Sequence, residues 1–225
     1  MAKASILDRL PDNITCIAVS KTFPEDAIRR KKEEGFQHFG ENRVKEFLAK
    51  HESLSDLDIV WHFIGHLQSN KVNKVVGKAD FLHSLDSVNL YRKLVHACEQ
   101  KTTALKVLLQ VNISGEQQKA GFSPEDLFAS LEEIHSLASR ACPVVGLMCI
   151  GSSLEIAGDE FVRSQMREMQ KLFLKLKQEE VPDLFEMKYL SMGMSSDWEI
   201  ALEYGSNMVR VGSLIFGTRG VGNVR

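Results

Sequence analysis

No run in this 225-residue chain approaches the length of a membrane span, and the opening MAKASILDRLPDN lacks the apolar core of a secretory leader. Neither insertion nor export is expected, and a cytoplasmic protein is the natural reading. Cysteine is sparse: Cys16, Cys98, Cys142 and Cys149 form no CxxC pair, which excludes a disulfide framework and points to reduced, buried thiols. An excess of either charge is also missing. The 28 Lys and Arg against 30 Asp and Glu leave a net charge of -2, no electrostatic footprint for nucleic acid or anionic lipid. There is no HExxH. His62 and His66 stand four apart in WHFIGH, but on what reads as a strand end, so a zinc site is not expected. Linkers, low-complexity tracts and tandem repeats are absent too, which predicts one domain over 1–225 with a small molecule as its ligand.

What is present is an alternation. Apolar, β-branched runs (ITCIAVS, QHFGEN, IVWHFIG, FLHSLD, KVLLQVNI, VVGLMCIG, KYLSMG, NMVRVGSLIFG) are separated by helix-like segments such as PEDAIRRKKEEG, SPEDLFASLEEIHSLAS and GDEFVRSQMREMQKLFLKLKQEE. Continuous apolar strands joined by helical crossovers imply a parallel sheet covered on both faces. Eight units favour a closed (β/α)8 TIM barrel, although an open doubly wound sheet gives a similar pattern. SPEDLF and SSDWEI each place a serine ahead of acidic first-turn residues, a helix-capping signal.

In such a barrel the reacting groups gather where strands end. Those ends carry Ser20 and Lys21, Glu41 and Asn42, Gly65 and His66, Ser84 and Asp86, Asn112, Gly151, Ser191 and Gly193, and Arg210 to Ser213. A lone lysine there usually snorkels to solvent. Pressed among apolar neighbours, its neutral amine becomes available to attack a carbonyl. SMGMSSDWE and RVGSLIFG add backbone amides and hydroxyls suited to an anion. An amine, a phosphate cradle and a fixed cation on one rim match the aldehyde, phosphate and ring nitrogen of pyridoxal 5'-phosphate. Glu41 receives no definite role. The row Lys71, Lys74, Lys78 is taken as a solvated helix face, and the methionines as core filler except Met192 and Met194 beside the site.

The segments AVSKTFP, FGENRVKE, WHFIGHLQSNKV, HSLDS, NISGEQQKAGF, GLMCIG, YLSMGMSSDWEIAL and VRVGSLIFGTR, in this order and spacing, resemble the pyridoxal phosphate homeostasis protein family. That family has an alanine racemase N-terminal-like barrel. The resemblance implies that Lys21 forms the internal aldimine with pyridoxal 5'-phosphate. It further implies that Asn42 lines the ring with Met192 and Gly193 opposite, that Ser191, Ser195, Gly212 and Ser213 hold the phosphate, and that Arg210 faces the pyridine nitrogen. Ser213 stands where relatives often carry threonine, which keeps a hydroxyl. The segment before the first strand is shorter than in many relatives, and GVGNVR follows the last strand closely.

A guanidinium beside the pyridine nitrogen opposes its protonation and weakens the ring as an electron sink. Racemases with this barrel resemble two-domain proteins, and no residues remain here for a second domain. A non-catalytic carrier is therefore expected, acting in intracellular pyridoxal phosphate homeostasis, with pyridoxal-phosphate-dependent apoenzymes as acceptors. The alternatives are an amino-acid racemase or lyase using Lys21 as base, and a structural barrel without ligand. Polar helix faces fit a monomer or weak dimer.

Overall fold

A computed structural model describes residues 5–116, 118–178 and 185–217. The strands are β1 (Thr15–Val19), β2 (His38–Glu41), β3 (Val60–Phe63), β4 (Phe81–Leu85), β5 (Lys106–Val111), β6 (Val144–Cys149), β7 (Phe185–Ser191) and β8 (Met208–Val211). All pair in parallel, each with its neighbour in sequence, and β8 returns to β1 to close the barrel with Ile17 opposite Arg210. The expected eightfold alternation is met, and closure decides against the open sheet.

Period-two geometry sends alternate side chains to opposite faces of a strand. In this barrel both faces are dry. Outward residues such as Ala18, Phe39, Trp61, Leu82, Leu147 and Val209 pack under the helices, while Ile17, Phe81, Leu108, Met148 and Met208 fill the interior. This explains why the strands show continuous apolar runs. All four cysteines are buried and unpaired, as expected.

The helices described are α1 (Glu25–Glu33), α2 (Val44–Ser53), α3 (Val72–Val75), α4 (Val88–Lys101), α5 (Pro124–Leu137), α6 (Leu154–Ala157), α7 (Asp159–Gln178), α8 (Trp198–Glu203) and α9 (Ser213–Phe216). Ser123 caps α5 as its sequence predicts, its Oγ accepting the Asp126 N–H at 3.0 Å. SSDWEI is different. The cap position of α8 is Asp197, whose carboxylate accepts the Met194 N–H at 2.6 Å, and Ser195 accepts the Gly212 N–H at 3.2 Å instead. Two further readings change. The apolar SLIF after Val211 is the helical turn α9 and does not extend β8, because Gly212 takes φ -115, ψ -72 and breaks the strand. The lysine row is also interrupted: Lys71 ends a 3-10 turn, Lys74 lies in the one-turn α3, and Lys78 follows it. Thr218, Arg219 and GVGNVR, together with Glu179 and Glu180 of the expected long helix, lie outside the described residues.

Gly193 is fixed by the chain turning from β7 toward α8. It adopts φ +93, and a Cβ there would lie 2.6 Å from Ala201 Cβ and 3.0 Å from Trp198 Cα. Left-handed strain and overpacking act together at this position. Gly193→Ala is expected to cost about 2 kcal/mol or more of stability, checked by urea unfolding against wild type.

Candidate functional site at the mouth of the barrel

The loops after the strand ends enclose a cavity of about 720 Å³, within the usual range for small-molecule sites. Lys21, Asn42, His66, Asn112, Ser195, Arg210, Gly212 and Ser213 all line it. Lys21 and Gly212 come from opposite ends of the chain. Closure of β8 on β1 makes them neighbours, and Gly212 lies against Val19, to whose carbonyl a Cβ on the glycine would come within 3.5 Å. Gly65 has a comparable reason to be glycine: a Cβ there would fall 2.1 Å from the carbonyl oxygen of Asn42, so the β2 and β3 ends can approach only without one.

Three of the expected site residues are placed elsewhere. Ser191, Met192 and Gly193 are buried beneath the cavity and do not line it. The Ser191 hydroxyl, expected to hold a phosphate, is engaged by Arg210 and His83. Met192 packs in the outer core, and Gly193 accepts the Arg210 N–H through its carbonyl at 3.0 Å. Met194, in contrast, does line the cavity. Ser20 and Glu41 turn outward to the α2 side, where both bond Lys50.

Arg210 is the electrostatic centre of the mouth. It is 5% exposed, and its guanidinium donates to Ser191 O (2.8 Å), Ser191 Oγ (2.7 Å) and Cys149 O (2.8 Å). Burial lowers its pKa, opposed by Cys149 and Asp197. No ion pair joins it to a carboxylate among the described residues, so its charge stays available to a ligand that offers an acceptor.

Below Arg210 runs a feature the sequence pattern did not reveal. Ser191 Oγ lies 3.1 Å from His83 Nδ1, His83 Nε2 is 2.9 Å from His62 Nδ1, and His62 Nε2 is 2.9 Å from His38 Nδ1. The chain of bonds crosses the barrel interior, with His62 also stacked on Phe81. Hydrogen-bond inventory couples the bonds. Ser191 Oγ accepts from Arg210 and keeps both a second lone pair and its one proton for His83 Nδ1, so the His83 tautomer sets the sense in which the bonds from Ser191 through His83 and His62 to His38 run. Burial holds His62 and His83 well below the ordinary imidazole value of 6.5, reinforced for His62 by its histidine neighbours and Lys106 and for His83 by Arg210. His38 is lowered as well, chiefly by burial. His66 is separate from this column, at the rim, 2.9 Å from Asp86. The pair His62 and His66 therefore serves two different places.

Other lining residues escaped the sequence reading. Gln110, a polar residue within the apolar run of β5, holds the β5 loop through Ala120 O at 2.8 Å, and its isolation in that run was the available signal. Lys119, paired with Glu116 at 2.6 Å, and the exposed Ile150 also reach the cavity. Nothing in their local pattern marks them, since their loops are placed by the barrel. Phe23, stacked on Phe216 with centroids 4.8 Å apart, closes the side nearest Lys21.

Fold and mouth together define a barrel of the alanine racemase N-terminal class. The family model described as "Alanine racemase, N-terminal domain" matches residues 5–220. The pyridoxal phosphate homeostasis protein of Aquifex aeolicus is 42% identical over 203 residues, 90% of this chain and 86% of that one. The protein of the same name from Pseudomonas aeruginosa is 37% identical, covering 97% and 90%. The solved structure of PipY from Synechococcus elongatus, with pyridoxal phosphate bound, superposes with a TM-score of 0.84 at 36% identity, over 94% of this chain and 96% of that one. Alanine racemase of Clostridium difficile, 15% identical with a TM-score of 0.77, shares the fold over 98% of this chain and 56% of its own. The chain belongs to the pyridoxal phosphate homeostasis protein family.

The neutral histidine column makes stability depend on pH. Below about 6.5 the unfolded chain takes up protons at His38, His62 and His83 that the native barrel refuses. Stability present above that value is then lost as pH falls, by up to about 1.4 kcal/mol per pH unit for each histidine. Urea unfolding as a function of pH checks this, and the dependence in His83→Asn is expected to be shallower by about one proton. Nitrogen-15 spectra of the native protein are expected to show one and the same neutral tautomer at His62 and His83.

Proposed function

We propose that this protein binds pyridoxal 5'-phosphate at the barrel mouth and holds it reversibly through Lys21, buffering and delivering the cofactor without turning over a substrate. When bound, the cofactor supplies an electrophilic aldehyde whose linkage to an amine releases water and whose hydrolysis reverses it. In this reading Lys21 provides the amine, Asn42 borders the ring and Arg210 faces the pyridine nitrogen. Ser195, Gly212 and Ser213 receive the phosphate, helped by first-turn N–H groups of α9 that have no intrahelical acceptor.

The observation that carries the proposal is the company of Arg210. A buried guanidinium with no carboxylate partner among the described residues lines the same cavity as Lys21 and the hydroxyl and amide groups of Ser195, Gly212 and Ser213. The donor set fits the three handles of the cofactor, and a cavity of about 720 Å³ accommodates it. Support comes also from relatives that bear the homeostasis name and from PipY, solved with pyridoxal phosphate bound.

Arg210 also favours carriage over catalysis. A permanent positive charge at the ring nitrogen disfavours its protonation, so carbanion chemistry on the cofactor gains little. The proposal extends to a cytoplasmic setting and to pyridoxal-phosphate-dependent apoenzymes as acceptors, with the protein acting as one domain, a monomer or weak dimer. Among the described residues no helix is long and apolar enough to cross a membrane.

The visible absorption spectrum with the cofactor, before and after borohydride, tests the reading. A yellow band that borohydride traps on Lys21 by peptide mass, and that Lys21→Ala loses, is the expected result; absence of any band would overturn it. Sustained conversion of one enantiomer of alanine or serine, abolished in Lys21→Ala, would replace the carrier by a racemase.

A further inference from the structure

Lys21 is the first residue of a tight turn whose anchoring lies outside the cavity. The Phe23 N–H closes the turn on Ser20 O at 3.0 Å, and Thr22 between them takes φ +70. That left-handed conformation is unfavourable for a β-branched residue, and such strain persists only where the surroundings over-determine it. The determining contacts come from α2. Lys50, 3% exposed, donates from Nζ to Ser20 O at 2.8 Å, to Glu41 Oε1 at 2.7 Å and to Glu46 Oε1 at 2.7 Å. Glu46 in turn accepts the Thr22 N–H, and Ser20 Oγ donates to Glu41 Oε1 at 2.7 Å. Both sequence neighbours of Lys21 are thus tied to one ammonium group, Ser20 directly and Thr22 through Glu46.

Stability alone does not account for this cluster. Two carboxylates share a single buried cation, and Glu41 Oε2 is buried with no hydrogen-bond partner. Apolar side chains of similar volume generally do as well or better in such a place. What apolar groups cannot do is hold a carbonyl and an amide on either side of one residue.

We infer that Lys50 is a positioning residue for Lys21, a hub that acts through Ser20 and Glu46 to fix the strained turn and to aim Lys21 into the cavity. The inference rests on the reading of Lys21 as the point of attachment. It assigns a role to two charged residues of α2, and to Glu41, that do not line the cavity.

The test uses Glu46→Ala, Glu46→Gln and Lys50→Met in the full chain. Glu46 is 22% exposed at its side chain, so its removal leaves Lys50 paired with Glu41 and the fold intact. In Glu46→Ala the rate of borohydride-trappable capture of pyridoxal 5'-phosphate at Lys21 is expected to fall roughly tenfold, with the thermal midpoint little changed. Glu46→Gln, whose amide oxygen still accepts from Thr22, is expected to recover most of that rate. Lys50→Met is expected to lose at least as much as Glu46→Ala; should it fail to fold, Glu46→Ala decides. Capture at the wild-type rate in folded Glu46→Ala would overturn the inference. Hydrogen exchange at the Thr22 amide of the ligand-free protein separates the two readings. Faster exchange in Glu46→Ala is expected even if the wild type captures no cofactor, and unchanged exchange would sink the clamp by itself.

Discussion

A single guanidinium buried in the throat of the barrel organises this structure. Arg210 has to be solvated by the protein, and among the described residues this is done with two carbonyls and one hydroxyl and no carboxylate. That choice keeps a full positive charge at the floor of the cavity. It also commits other groups: Ser191 accepts from the arginine and bonds His83, and each imidazole below is hydrogen-bonded to the one above. A carboxylate in place of Ser191 would have neutralised the charge.

Barrel closure is the second constraint, because it puts residues from the two ends of the chain side by side. Ile17 is in register with Arg210, so the turn carrying Lys21 and the turn carrying Gly212 and Ser213 meet at one rim. An open sheet would set them at opposite edges. In the interior Ile17, Phe81, Leu108, Met148 and Met208 form an apolar filling crossed by the histidine column, and at the mouth above it loop backbone supplies further donors. Rigidity comes from strands, and chemistry comes from the loops they end in. Membership of the pyridoxal phosphate homeostasis family agrees with this division, since the site lies wholly within the barrel the chain forms.

The network around Lys50 shows a different use of buried charge. It spends polar groups on the outward side of β2 to hold a strained turn on the inward side of the mouth. Glu41 could be noticed in the sequence but not interpreted, because its partner Lys50 is nine residues on, in another element.

The sequence by itself determined the class of fold, since alternating apolar runs and amphipathic segments leave a parallel sheet with helical crossovers as the economical way to bury both. It also located the strand ends, and with them Lys21, Asn42, Ser195, Arg210, Gly212 and Ser213, all of which the fold brings to one cavity. Only the tertiary structure decided which way each strand residue faces. Both faces of these strands are buried, so hydrophobic pattern carries no signal of inside against outside. Sequence reasoning therefore could not show that Ser191, Met192 and Gly193 are buried beneath the cavity, and the histidine column went unseen. Gln110, Lys119 and Lys50 went uninterpreted for a related reason: the fold decides that Gln110 and Lys119 reach the cavity and that Lys50 of α2 meets Ser20 and Glu41.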